Sequence, residues 1–250
     1  MNYVEYGKEN RDVIVLLHGG GLSWWNFREA AEILQSDYHV ILPILDGHSK
    51  SDHDFTTIEA NAAEIIKFID EWFDGSVLLM GGLSLGGQIL LELLAQRADI
   101  CQYALIESAL TIPSKFTYAM VKPAFGGCYG LIRHRWFSRL QFKALKIKQA
   151  LFEDYFRDTC GISKSNMIAF LEANALYRIK PSIADCTAKS YVFVGEKENK
   201  AMRKSAKIIH ENLRGSLLQV LPKMHHGEFS INHADDYVNT ILDMIEKNKL

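Results

Sequence analysis

Residues 76–95 read SVLLMGGLSLGGQILLELLA. The first five are apolar enough for a buried strand, and the run after Gln88 is apolar almost throughout, as in a helix buried on most sides. Between them, residues 82–86 are Gly-Leu-Ser-Leu-Gly. The pattern G-x-S-x-G has chemical meaning when it joins a strand to a helix. There the chain reverses so tightly that side chains two residues either side of Ser84 would strike neighbouring backbone, hence Gly82 and Gly86. Gly81 and Gly87 relax the crowding further. The Ser84 hydroxyl then projects past the strand end, beside the free N–H groups and partial positive charge of a helix N-terminus. At ordinary glycine and serine frequencies the pattern arises by chance in roughly 8% of chains this long, so partners elsewhere must carry part of the reading.

Outward from this turn, short apolar runs at 13–17, 39–42, 76–80, 101–106, 189–194 and 216–221 alternate with helical patterns at 25–34, 58–72, 88–98, 201–213 and 231–245. That alternation predicts an α/β fold with a mostly parallel central sheet and helices on both faces. One stretch interrupts it. Residues 114–180 contain no strand pattern, only helical ones such as 142–156 and 167–176, punctuated by Gly126, Gly127, Gly130 and Gly161. This reads as a helical insertion between two strands. It carries twelve cations against four anions, in a chain whose formal net charge is −2. The excess fits either a solvated helical surface or an electropositive entrance that attracts anionic substrates.

A serine nucleophile needs a base, an acid to orient that base, and two N–H donors for the developing oxyanion. The first confident strand runs into His18-Gly-Gly-Gly-Leu22, where no Cβ blocks an approach to the backbone. One donor is then the amide of Leu85, after the nucleophile, and the other that of Gly20, or of Gly21 or Leu22 if the loop is shifted. A phosphate loop would need a Gly-Lys-Ser/Thr ending, and a dinucleotide site G-x-G-x-x-G; both are absent. After the last strand, His225 and His226 lie in a loop at the same edge of the sheet as Ser84. His39 falls in a strand and His210 on a helix, whereas His18 and His48 sit in glycine-bounded turns that suit structural roles. For the acid, Glu196 and Glu198 follow the strand at 189–194, and Glu107 follows the strand at 101–106.

With 250 residues, 48% apolar and 23% charged, the chain has ordinary globular composition. Its balance of charge gives no reason to expect nucleic acid as a partner. No run of about 18 apolar residues predicts membrane insertion, and the start lacks a charged-then-apolar signal pattern. Cys101, Cys128, Cys160 and Cys186 are too dispersed for a zinc site or disulfide framework, which makes the cytoplasm the expected location.

Taken together these segments resemble the α/β-hydrolase superfamily over nearly the whole chain. Residues 18–21 look like its oxyanion loop. Residues 46–52, Asp-Gly-His-Ser-Lys-Ser-Asp, are similar to its D-x-x-G-H-G-x-S-D loop, with Ser49 where glycine is usual. Residues 82–86 match its nucleophile elbow, and the order nucleophile, acid, histidine also matches. The resemblance implies Ser84, Glu198 and His226 as the triad, because Glu198 ends a G-x-x-E pattern and His226 aligns with the family's histidine. Glu107 stands next as acid and His225 as base. It implies a core of residues 1–113 and 181–250 under a helical cap at 114–180, a small-molecule acyl substrate, and no metal or organic cofactor. The expected activity is cleavage of a carboxylic ester or related acyl bond. Thioester, lactone or C–C bond hydrolysis, acyl transfer, or ligand binding with little turnover are the alternatives.

Overall fold

The structure is a computed structural model that describes residues 1–246. In chain order the elements are β1 (Tyr3–Tyr6), β2 (Val13–Leu17), α1 (Arg28–Leu34), β3 (His39–Pro43), α2 (Ile58–Trp72), β4 (Val77–Leu83), α3 (Leu85–Gln96) and β5 (Cys101–Glu107). Four helices follow: α4 (Lys115–Cys128), α5 (Arg135–Ala144), α6 (Phe152–Gly161) and α7 (Lys164–Leu176). The chain closes with β6 (Lys189–Gly195), α8 (Lys200–Asn212), β7 (Leu217–Leu221), α9 (Glu228–Asn232) and α10 (Ala234–Glu246). The seven strands form one sheet in the order β1-β3-β2-β4-β5-β6-β7, parallel except for β1.

Strand β2 explains why the apolar runs are continuous. Val15 and Leu17 face the core beneath α2, α3 and α8, while Ile14 and Leu16 face the core beneath α1 and α10. Both faces are covered, so neither parity has a polar residue. The strand carrying the nucleophile, β4, lies at the centre of the sheet, flanked by β2 and β5.

Several elements depart from the sequence expectation. Strand β1 was not anticipated: its four residues are half-exposed at an antiparallel edge and show no apolar run. Strand β7 forms the opposite edge and leaves Leu217 and Val220 exposed. The helix expected at 25–34 opens as a 3-10 turn, Trp24–Phe27, before α1. The one expected at 231–245 is divided at His233 into α9 and α10. The expected helix 142–156 is broken outright, because α5 ends at Ala144, Lys146 has φ +59°, and α6 starts at Phe152. Gly126 and Gly127 do not punctuate the helical pattern but lie inside α4.

The four helices between β5 and β6 dock on the rest of the molecule through polar clamps. Trp25 Nε1 donates to the buried Asp158 at 2.9 Å, and Arg157 grips both oxygens of Asp158 at 2.8 Å. Arg28 reaches Asp154 at 2.6 Å, Lys180 reaches Glu59 at 2.8 Å, and Lys148 pairs with Glu29. Two of the segment's cations, Lys148 and Lys180, thus meet carboxylates outside it. No described helix is long and apolar enough to cross a membrane.

Candidate active site

Ser84 is the single residue between β4 and α3, with φ +55° and ψ −111°. A non-glycine residue holds such a conformation only when its surroundings enforce it. Here the enforcement is visible. Ser84 N–H donates to the carbonyl of Glu107 at 2.9 Å, and its own carbonyl receives the amide of Gln88 at 2.9 Å. A Cβ on Gly86 would lie 2.1 Å from the carbonyl oxygen of Leu17, and one on Gly82 would lie 2.4 Å from that of Gly86. Only glycine fits at either position.

The glycine loop after β2 lies against this turn, since a Cβ on Gly20 would sit 3.5 Å from the Leu85 side chain. Its amides are allotted one by one. Gly19 N–H donates to Asn26 Oδ1, Gly21 N–H to His48 Nε2 at 3.0 Å, and Leu22 N–H back to the Gly19 carbonyl. Of the three alternatives, Gly21 and Leu22 are thus spoken for, and the Gly20 amide has no hydrogen-bond acceptor among the described residues. Leu85 is the first residue of α3, so its amide has no intrahelical acceptor.

The two histidines of the neighbouring turns hold this loop. His48 Nδ1–H donates to the Asp46 carbonyl at 3.0 Å, which leaves Nε2 as acceptor for Gly21. Burial lowers its pKa to about 4, so the acceptor form prevails at neutral pH. His18 donates through Nδ1 to the Gly19 carbonyl and accepts from Leu45 N–H through Nε2; burial holds it well below the usual histidine range. The two rings meet edge to face, with centroids 4.8 Å apart.

His226 follows β7 and shares with Ser84 a cavity of about 90 Å³. Its Nδ1 lies 2.7 Å from Glu198 Oε2. The other oxygen of Glu198 receives Ser108 Oγ–H at 2.7 Å and the Gly195 amide at 2.8 Å. Burial pushes the Glu198 carboxyl up, but the hydrogen bonds from His226, Ser108 and Gly195 outweigh it and hold it below the ordinary glutamate value. The remaining acids stand apart. Glu196 accepts from Lys223 N–H, and Glu107 reaches only Ser230 N–H, at 3.5 Å, with its second oxygen unpartnered. Burial raises Glu107 to about 7. His225 is exposed and lines a different cavity from Ser84. Ser108, which completes the carboxylate's shell with φ +54°, was not foreseen; a serine after a strand-end glutamate carries no sequence signal of that role.

A family model for the alpha/beta hydrolase family matches residues 14–240. The chain belongs to the alpha/beta hydrolase family. As an α/β hydrolase it superposes on an esterase from Exiguobacterium antarcticum with TM-score 0.82 at 18% identity, covering 98% of this chain and 94% of that one. An enol-lactonase from Burkholderia xenovorans gives 0.80 at 18% identity, covering 98% and 96%. A thermophilic esterase from Thermogutta terrifontis gives 0.79 at 15%, covering 98% and 93%. No curated protein sequence matches this hydrolase. Among its described residues, no group of three or more His, Cys, Asp or Glu side chains is arranged to hold a metal ion.

Proposed function

We propose that this α/β hydrolase is a serine hydrolase of the cytoplasm that cleaves a carboxylic ester or related acyl bond of a small molecule through Ser84, His226 and Glu198. The observation that carries the reading is the 2.7 Å bond from His226 Nδ1 to Glu198, made beside the cavity that Ser84 enters. With Nδ1–H committed to the carboxylate, Nε2 is the free base. It takes the Oγ proton as Oγ attacks the substrate carbonyl carbon. The oxyanion rests on the amides of Gly20 and Leu85, donors each worth a factor of about 10²–10³ in rate. Collapse expels the alcohol, which leaves with the proton from Nε2. Water then enters, loses its proton to His226 and attacks the ester carbonyl, and the acid departs as Oγ is reprotonated.

The helices α4–α7 act as the cap. Beneath them a cavity of about 330 Å³, lined mostly by apolar side chains such as Phe125, Ile132, Met167, Phe170 and Leu171, offers a place for the acyl group. The four free cysteines fit a reducing compartment. Steady-state hydrolysis of neutral p-nitrophenyl esters tests the assignment. In Ser84→Ala or His226→Ala, kcat is expected to fall about 10⁴-fold or more. Hydrolysis that survives Ser84→Ala overturns it, and no hydrolysis by the wild type favours a ligand-binding protein on this fold.

A further inference from the structure

Where the helix expected at 142–156 breaks, residues 145–148 form a short strap between α5 and the turn leading into α6. The strap lies where three cavities meet. Leu145 lines the apolar cavity of about 330 Å³, the Ser84 cavity of about 90 Å³, and a third of about 230 Å³ bounded by Lys146, Lys197, Asn199 and the two histidines. Ile147 also faces the Ser84 cavity. Leu145 is 40% exposed, a large apolar side chain held at a junction of open spaces instead of in a core.

The strap is fastened to the catalytic machinery. Asn232 Nδ2 donates to the Lys146 carbonyl at 2.7 Å, and Asn232 Oδ1 accepts from Lys148 N–H at 3.0 Å. One amide side chain thus takes both backbone groups of the strap, in the manner of a strand partner. Asn232 is the last residue of α9, the helix that begins two residues after His226. Lys148 Nζ adds a pin to Glu29 on α1. These holds keep Lys146 in its left-handed conformation, which a lysine does not adopt unaided.

We propose that residues 145–148 are the specificity-determining wall of the site, with Leu145 as the door between the Ser84 cavity and the apolar cavity under the cap, and Asn232 as the residue that positions the wall. The inference rests on reading Ser84 as the nucleophile. The doorway is framed by Leu145, Leu22 and Gly20, which line both of those cavities. An acyl chain bound at Ser84 passes through it into mostly apolar surroundings, in which Gln141, Tyr155 and Thr159 are the polar side chains. The alcohol portion is left on the other side of Leu145, in the more polar cavity with Lys146 and Lys197. The wall therefore sorts the two ends of an ester by polarity and sets the width of acyl chain admitted.

The test compares second-order rates of Ser84 labelling by ethyl and octyl fluorophosphonates, read by intact mass. Leu145→Ala widens the doorway and is expected to raise the octyl-to-ethyl ratio about tenfold or more; Leu145→Phe is expected to lower it by a similar factor. Asn232→Ala, which frees the strap, is expected to move the ratio in the same direction as Leu145→Ala. A ratio within about twofold of wild type in both Leu145 variants, with Ser84 still labelled, overturns the wall alone. Failure of both reagents to label wild-type Ser84 overturns the nucleophile reading, and the wall with it.

Discussion

Glu107 and Glu198 are both buried close to the histidine's end of the sheet, yet their surroundings give them opposite character. Glu198 is surrounded by three donors, whereas Glu107 has one long contact and an orphaned oxygen beside the unpartnered hydroxyls of Ser230 and Tyr237. Glu198→Gln is expected to lower kcat about 10³-fold or more, because the amide no longer selects the right tautomer of His226. Glu107→Gln is expected to leave kcat within about fivefold, and the same ester assay separates the two. Glu107 has a second consequence, for stability. Unfolded, it ionises near 4.5; folded, it holds its proton to about 7. Its contribution is fully present below the unfolded value, and folding stability falls as pH rises between the two, by about 3 kcal/mol in total. Urea melts at pH 5 and pH 8 should show Glu107→Gln gaining on the wild type as pH rises; an equal difference at both would exclude that cost. At this scale the sequence revealed the residue types and their order, from which Ser84, Glu198 and His226 are proposed as the triad. It did not reveal which amide of the glycine loop is free. That depends on His48, a contact spanning 27 residues, and no local pattern encodes it.

The elbow and α4 show that glycines of similar appearance in sequence do opposite things in structure. Gly86 faces the backbone of β2, so Gly86→Ala is expected to cost about 3 kcal/mol or more, or to prevent folding, as overpacking against unyielding backbone does. Gly126 and Gly127 face open space inside a helix, and replacing both by alanine is expected to add about 1 kcal/mol of stability. Chemical denaturation of the two variants reads both signs. The elements best anticipated were those with an apolar run covered on two faces, from β2 to β6. Those missed lacked such a pattern. Strand β1 is a half-exposed edge, and after Ala144 two long-range bonds from Asn232 hold a stretch whose own periodicity favours a continuous helix.

Across the whole molecule, part of the charge asymmetry between residues 114–180 and the remainder acts as docking. Lys148 and Lys180 meet carboxylates of α1 and α2, while Arg157 neutralises the aspartates that hold Arg28 and Trp25. None of the cations lines the apolar cavity beneath these helices. For a neutral ester, kcat/KM is therefore expected to change by less than about twofold between low and high salt, since screening has little to act on. A terminal carboxylate on the acyl chain is expected to lower kcat/KM at least about tenfold, because that charge would enter a mostly apolar cavity with no cation in its lining. Preference for the anionic acyl chain would restore the electropositive entrance that the composition allowed. All of these expectations depend on one atom, the Ser84 hydroxyl oxygen on its strained turn. Intact-mass analysis after fluorophosphonate treatment, with peptide mapping, tests it most directly. The wild type should gain the mass of one phosphonyl group at Ser84 and Ser84→Ala should gain none, whereas an unlabelled wild type or an equally labelled alanine variant would contradict the account.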